Sequence, residues 1–348
     1  CTLTFMKLNL ELLKNLSEVA GIPGWEDRVR DLVTKELKGL VDDVRTDALG
    51  NVIAHKKGKG SKVMIAAHMD EIGFYVKHVD DKGFLRLQNV GGFDTRNLFA
   101  RQVTIHTAKG DLIALMNPAA KPVHISSPEE RNKIPALAEF FVDTGLSGEE
   151  VKKKVRVGDP VTLRQEAHQL GKVFTGKAMD DRVAVFVLLE SLKQLKNKKL
   201  SHDLYAVFTT QEEVGLRGAV TSSYGVEPEV GIALDVTLAV DTPGASPDQA
   251  VTELGKGVAI KVMDGYSISD RGLVQTFVQL AEKEKITYQM EVLPLGGTDA
   301  GAIQRSRAGV PSITLSVPTR YVHTVTECVH TDDVVATIEV LNAYLQTS

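Results

Sequence analysis

The sequence predicts an α/β protein: a mixed sheet flanked by helices, interrupted by an inserted β-rich domain. Three observations carry this. Apolar strand-like runs alternate with helix-length amphipathic segments towards both ends of the chain. Between about residues 72 and 162 the texture changes to closely spaced β-like runs punctuated by glycine and proline. The chain is also 348 residues long, enough for one large domain or two of ordinary size. A folded host tolerates insertion at an exposed loop. The division expected is therefore 6–70 and 166–348 for the α/β domain, with 71–165 as the insert.

Leu8, Leu10, Leu12, Leu13 and Leu16 predict a first short helix, ended by Gly21-Ile22-Pro23-Gly24. Val29, Leu32, Val33, Leu37 and Leu40 recur at helical spacing and predict a second from Glu26 to Val41. The runs Asn51 to His55 and Lys62 to Ala67 flank Lys57-Gly58-Lys59-Gly60 and predict a strand pair. In the insert, Phe84 to Leu87, Gln102 to His106 and Asp111 to Leu115 are β-like, as in a small barrel or sandwich. From Gly171 onward alternation resumes. Helices are predicted at Val183 to Leu195, Asp270 to Lys283 and Asp332 to Leu345. Strands are predicted at Leu204 to Thr209, Val230 to Leu234, Val258 to Val262, Thr287 to Val292 and Ser312 to Ser316.

Hydrophobic residues make up 43% and charged residues 25%, with a net charge of -4. That is ordinary for a soluble globular protein and leaves no electrostatic footprint for nucleic acid. The basic runs Lys56-Lys57-Gly58-Lys59 and Lys152 to Lys154 read as solvated turn and helix faces. Two cysteines, Cys1 and Cys328, cannot build a disulfide framework, so a reducing cytoplasm is expected. No apolar run approaches the roughly 20 residues that span a bilayer, so no membrane partner is expected. The N-terminus lacks the pattern of a secretory signal. Met6-Lys7 reads as a natural start, and Cys1 to Phe5 are set aside.

Acidic and imidazole residues follow one predicted strand after another. His68-Met69-Asp70-Glu71 follows Lys62 to Ala67, and Gln211-Glu212-Glu213 follows Leu204 to Thr210. Asp235 follows Val230 to Leu234, and His323 comes shortly after Ser312 to Ser316. Asp180-Asp181 stands where the Val183 helix begins. In open α/β sheets, sites form outside the carboxyl ends of the strands. Imidazole and carboxylate suit zinc, cobalt or manganese, with one histidine and one terminal carboxylate per ion plus a shared bridge. Two ions about 3.5–4 Å apart can clamp a water, polarise a carbonyl and bring the water's pKa to about 7. A carboxylate outside the ligand set must still move the proton. Adjacent glutamates supply both jobs if Glu213 binds metal while Glu212 faces the water. Asp70, two residues after His68, can accept the other imidazole N–H of His68 and fix its ring.

Each piece alone has an ordinary reading. His68 alone is a satisfied strand-end histidine, and Glu212-Glu213 a solvated helix start. Asp180-Asp181 alone is an N-cap, and Asp235 a turn residue. His323 alone has no preferred reading. His106, His124, His168 and His330 are assigned nothing, and Arg182 and Asp299 fit structural ion pairs. The joint pattern at the strand ends is what points to a metal centre.

At these residues the chain resembles the M42 family of metallo-aminopeptidases, the tetrahedral (TET), deblocking and glutamyl aminopeptidases. The matching stretches are Ala67-His-Met-Asp-Glu-Ile-Gly73, Gly176-Lys-Ala-Met-Asp-Asp-Arg182, Gln211-Glu-Glu-Val-Gly215, Ala233-Leu-Asp235, Gly296-Gly-Thr-Asp-Ala-Gly301 and Pro318-Thr-Arg-Tyr-Val-His-Thr324. The resemblance runs nearly the full length, insert included. It implies Asp180 as the bridging ligand, His68 and Asp235 on one ion, and Glu213 and His323 on the other. It implies Glu212 as general acid/base and Asp70 as the residue that orients His68. It implies two divalent ions per subunit, zinc foremost, with cobalt or manganese accepted. The α/β domain is then zinc-peptidase-like and the insert a PDZ-like dimerisation domain. The resemblance also implies that short peptides are cut one residue at a time from the free N-terminus, and that six dimers form a tetrahedral dodecamer. Val325 to Val329, with Cys328, has no reading from the sequence.

Three further readings start from the same features. A carboxypeptidase or deacylase would use the same ions and base, and differ in which substrate end it recognises. A glucanase needs two carboxylates but gives paired histidines no role. An inactive scaffold has no reason to cluster carboxylates that repel without metal. The side chain preferred at the first substrate residue is open; Gly296 to Ile303 and the loop after Asp235 are candidate pocket walls.

Overall fold

A computed structural model describes residues 7–347. Cys1 to Met6 and Ser348, and with them the Cys1–Phe5 stretch and the Met6 start, lie outside the described residues. The described part contains an 11-stranded mixed sheet and a closed antiparallel barrel.

The centre of the sheet is four parallel strands. Asp203–Thr209 pairs with Lys62–His68, which pairs with Val230–Leu238, which pairs with Ser312–Arg320. Parallel strands covered on both faces are apolar along their length. Lys62–His68 shows why: alternate side chains face opposite ways. Val63, Ile65 and Ala67 join the core shared with the Met179–Gln194 and Thr331–Gln346 helices. Met64 and Ala66 join the core beneath Arg217–Val226 and Asp299–Gln304. Within the Met179–Gln194 helix the run Val183 to Leu189 is apolar on every side and correspondingly buried. Antiparallel strands close the sheet's flanks, with Asp43–Thr46 and Val52–Lys56 on one side and Glu327–His330, Val173–Gly176 and His168–Leu170 on the other. Val258–Met263 and Tyr288–Val292 extend from Ser312–Arg320.

The strand pair predicted around Lys57 to Gly60 is corrected. Val52–Lys56 and Lys62–His68 do not pair, because Asp203–Thr209 lies between them, antiparallel to one and parallel to the other. The glycines serve this crossing rather than a hairpin. A Cβ on Gly58 would lie 1.8 Å from the carbonyl oxygen of His202, and one on Gly60 1.9 Å from that of Ser201. The second helix is also shorter than its periodicity suggests. It covers Asp27–Glu36, and Leu37 and Leu40 are buried from the turn that follows.

The insert folds as the barrel. Its strands are Gly73–Val79, Leu85–Val90, Arg101–Thr107, Gly110–Pro118, Phe140–Asp143 and Pro160–Leu163. Phe74, Val76, Leu85, Val103, Ile105, Met116, Val142 and Val161 fill its core. One member of that core, Val325, comes from the far end of the chain. No helix among the described residues is long and apolar enough to cross a membrane.

Candidate metal centre and active site

The chemistry-bearing residues gather at the carboxyl ends of the four central strands. His68 ends its strand opposite Thr209, and Asp235 pairs in register with Ser316. The chain turns sharply beyond two of these ends. Gln211 takes a left-handed φ of 55° and delivers Glu212 and Glu213, and His323 itself has φ 63°. Asp180 and Asp181 have non-helical backbones at the start of the buried helix, so the N-cap expected there is an irregular turn that projects acids.

Five residues singled out as ligands form two groups sharing one member. His68, Asp180 and Asp235 make the first, and Asp180, Glu213 and His323 the second. Within each group the ligand atoms lie within 4.8 Å of one another. His68 Nε2 is 3.1 Å from Asp180 Oδ1, and His323 Nε2 is 3.3 Å from Asp180 Oδ2 and from Glu213 Oε1. Glu212 belongs to neither group, yet its Oε2 is 3.8 Å from His68 Nε2.

Asp70 acts differently from the expected contact. The Nδ1 of His68 is held by the main-chain carbonyl of Asp70 at 3.0 Å, while the Asp70 carboxylate is 3.5 Å away. That carboxylate instead accepts the N–H groups of Glu212 at 3.0 Å and Glu213 at 3.1 Å. It braces the two glutamates while its backbone orients the histidine.

The electrostatics describe a site built for cations. Burial raises Glu212 well above the carboxylate range, and the charges of Asp235, Glu213 and Asp299 add to it. Burial and the Asp180 charge do the same to Asp235 and, less strongly, to Glu213. Burial disfavours charged imidazole, but Glu212, Asp180, Asp70 and Asp181 outweigh it and hold His68 well above its usual range. His323 is pushed up to about 12 by Asp180 and Glu213 against its own burial. Asp180 lies well below its usual value, because the two imidazoles outweigh burial. Glu213 Oε1 is buried with no aligned hydrogen-bond donor. Divalent ions in the two groups would invert this balance and let the ligand carboxylates ionise together. The donor set of imidazole nitrogen and carboxylate oxygen fits such ions.

The groups open into a cavity of about 510 Å³. Val236, Thr237 and Leu238 line it from a strand that continues where a loop was expected after Asp235, and of the expected Gly296 to Ile303 wall Gly296, Gly297 and Thr298 reach it. Lys261 also reaches its wall, fully buried, with Nζ 2.9 Å from Glu291 Oε1 and 3.6 Å from Asp264 Oδ2.

Several groups position the site, among them Arg182, which makes the ion pair expected of it, and Glu327, which the sequence reading missed. Asp181 Oδ2 accepts the His68 N–H at 3.0 Å. Buried Arg182 donates to the carbonyls of Met69, Leu16, Val19 and Gly21 and lies 3.5 Å from Glu71, which Lys177 also holds. Asp299, expected as an ion-pair partner, accepts the Thr209 hydroxyl at 2.5 Å. Glu327 accepts the N–H of His323 and the N–H of Asp180. Burial and the Asp180 charge push Glu327 up to about 8. Its one sequence signal is a lone acid between Val325 and Val329, in a stretch otherwise patterned for burial.

A family model for M42 glutamyl aminopeptidase matches residues 50–340. The chain belongs to the M42 peptidase family. It is accordingly a peptide-bond hydrolase. Among its relatives, the lysyl aminopeptidase of Pyrococcus furiosus is 37% identical over 97% of this chain and 96% of its own length. An aminopeptidase from the archaeon Desulfurococcus kamchatkensis superimposes with a TM-score of 0.92 at 41% identity, over 97% of this chain and 94% of that one. The TET1 peptidase of Pyrococcus horikoshii, which can assemble into a tetrahedron or a large octahedral shell, has a TM-score of 0.88 at 31% identity, over 97% of this chain and 99% of that one. M42 enzymes depend on metal, and the two residue groups are this chain's candidate ligands.

Proposed function

We propose that this M42 chain is a two-metal aminopeptidase that removes N-terminal residues from short peptides. The observation that carries the reading is the pair of ligand groups sharing Asp180, with the non-ligand carboxylate of Glu212 beside them. Asp180 would be shared by the two ions, His68 and Asp235 would complete one ion's set, and Glu213 and His323 the other's. Zinc is the ion favoured by this donor set, with cobalt or manganese as substitutes. When bound, the ions supply Lewis acidity towards the peptide carbonyl and the attacking water.

The chain's own residues supply the rest. Glu212 takes a proton from the attacking water and delivers it to the departing amine. Its main chain is held by Asp70, which keeps the carboxylate at fixed reach of His68. The cavity walls at Val236 to Leu238 and Gly296 to Thr298 receive the first substrate side chain. Which side chain is preferred differs among relatives, since one is a lysyl and the family model a glutamyl aminopeptidase.

In assembly, the reading extends to a dimer-based tetrahedral dodecamer. The barrel, 71–165, serves as a PDZ-like dimerisation domain, and 6–70 with 166–348 form the zinc-peptidase-like catalytic domain. The shells formed by the Pyrococcus horikoshii relative support this. A cytoplasmic site of action goes with a chain of only two cysteines.

The test is release of chromophore from unblocked Leu, Glu, Lys and Ala derivatives by metal-stripped enzyme, before and after adding zinc, cobalt or manganese. Cleavage restored by metal on free-amine substrates and absent on N-blocked ones is expected. Equal cleavage of N-blocked substrates would overturn the aminopeptidase reading.

A further inference from the structure

The two ligand groups are supported by different parts of the molecule. His68 and Asp235 lie within paired central strands, and the His68 N–H and ring are fixed by Asp181 and Asp70. His323 lies outside any strand, with a left-handed φ of 63° that is uncommon for a side-chain-bearing residue. Three features of the structure surround it.

Glu327 is 2% exposed, and its two oxygens are both used. Oε1 accepts the His323 N–H at 2.6 Å, and Oε2 accepts the Asp180 N–H at 3.0 Å. One carboxylate thus ties a ligand of the second group to the shared bridge. Midway between His323 and Glu327, Val325 is 1% exposed and packs within the barrel's hydrophobic core. The Gly91-Gly92 segment, just after the barrel strand Leu85–Val90, also lies beside the ligands. A Cβ on Gly92 would lie 3.6 Å from His323 Nδ1, and one on Gly91 3.4 Å from Glu213 Oε2. Both ligands private to the second group are therefore in reach of the barrel.

We propose that Glu327 is a positioning residue for the second group and that Val325 couples it to the barrel, so that barrel packing sets how tightly Asp180, Glu213 and His323 hold their ion. This rests on the two-ion reading. A glutamine at 327 has one acceptor oxygen where two N–H groups need one each, so the tie between His323 and Asp180 is cut on one side. Groups that hold metal ligands typically govern affinity by about 10–100-fold.

The test is titration of metal-stripped full-length protein with cobalt(II) alone, read by its visible absorption. H68A and H323A, each lacking one private ligand, identify which equivalent belongs to which group. In E327Q the second group is expected to bind about 10–100-fold more weakly, while the first changes far less. V325A, an excision in the barrel core that removes no candidate ligand, is expected to weaken the second group in the same direction by a smaller factor. Wild-type affinity at both groups in E327Q, or equal loss at both, overturns the proposal. If E327Q does not fold, V325A decides it: a selective loss supports the coupling and an unchanged second group overturns it. Wild-type protein that binds a single equivalent would remove the two-ion reading and the coupling together; wild-type binding of two with no selective loss removes the coupling alone.

Discussion

The two halves of the candidate metal centre share Asp180 but differ in what holds them. The half made by His68 and Asp235 is part of the parallel sheet, whose strand pairing runs through both positions. The half made by Glu213 and His323 hangs on turns, gripped by buried carboxylates and overlain by the barrel. A sheet fixes a ligand by its register. A turn must be fixed residue by residue, and that work falls to groups such as Asp70 and Glu327, whose role is to accept N–H bonds.

The comparison can be broken at several points. Glu212 stands outside both halves, so E212Q is expected to keep both metal equivalents and lose about 10²–10⁴-fold in turnover. Initial rates with metal analysis on the same sample check this, and wild-type rates would remove Glu212 as general base. Next in size are H68A and H323A. Each is expected to lose one equivalent by metal analysis, and two full equivalents in either variant would exclude that ligand. R182M strikes the frame beneath the sheet-bound half, because Arg182 is fully buried and donates to the carbonyl next to His68. Lys177 still holds Glu71 in this variant, but four main-chain carbonyls lose their donor, which is expected to cost at least about 1–3 kcal/mol in denaturant unfolding.

G91A tests the other half. Gly91 has φ +85°, and a Cβ there would lie 2.4 Å from Ile72 Cγ2. A loss of about 1–3 kcal/mol is expected, accompanied by weaker metal binding at the second group and not the first. The smallest effect is expected where the barrel meets the Asp27–Glu36 helix. Arg28 holds Asp111 through two contacts of 2.7 Å and brings its carboxyl down to about 2. Both side chains are more than a third exposed, so solvent screens the pair and R28A should cost under about 1 kcal/mol. A depressed carboxyl stabilises the fold above its unfolded pKa and loses that contribution as pH falls through the folded one. The difference between wild type and R28A should therefore be full above about pH 4 and shrink towards pH 2.

Much of this was legible in the sequence, because the signals were local. Apolar runs such as Val63 to Ala67 announce a covered strand, and an acid or histidine just past each run marks the sheet's carboxyl edge. The candidate ligands drew notice by residue type and position. What stayed hidden depends on distant chain meeting distant chain. Nothing near Lys57 to Gly60 tells that a strand from residue 203 onward will slide between its neighbours. Val325 and Glu327 carry no motif, because one acts by filling a cavity in a remote barrel and the other by accepting main-chain hydrogens. Asp70 was noticed for the right neighbourhood, but the division of labour between its carbonyl and its carboxylate is a matter of backbone direction, which residue type does not reveal.

The most direct test of the two-ion account is a stepwise metal titration followed by activity. Metal-stripped enzyme receives zinc in fractions of an equivalent, and cleavage of an unblocked aminoacyl chromophore is measured at each step. Activity that reaches its full value only as the second equivalent is bound is the predicted result. Full activity at one equivalent, with no further metal taken up, would contradict it.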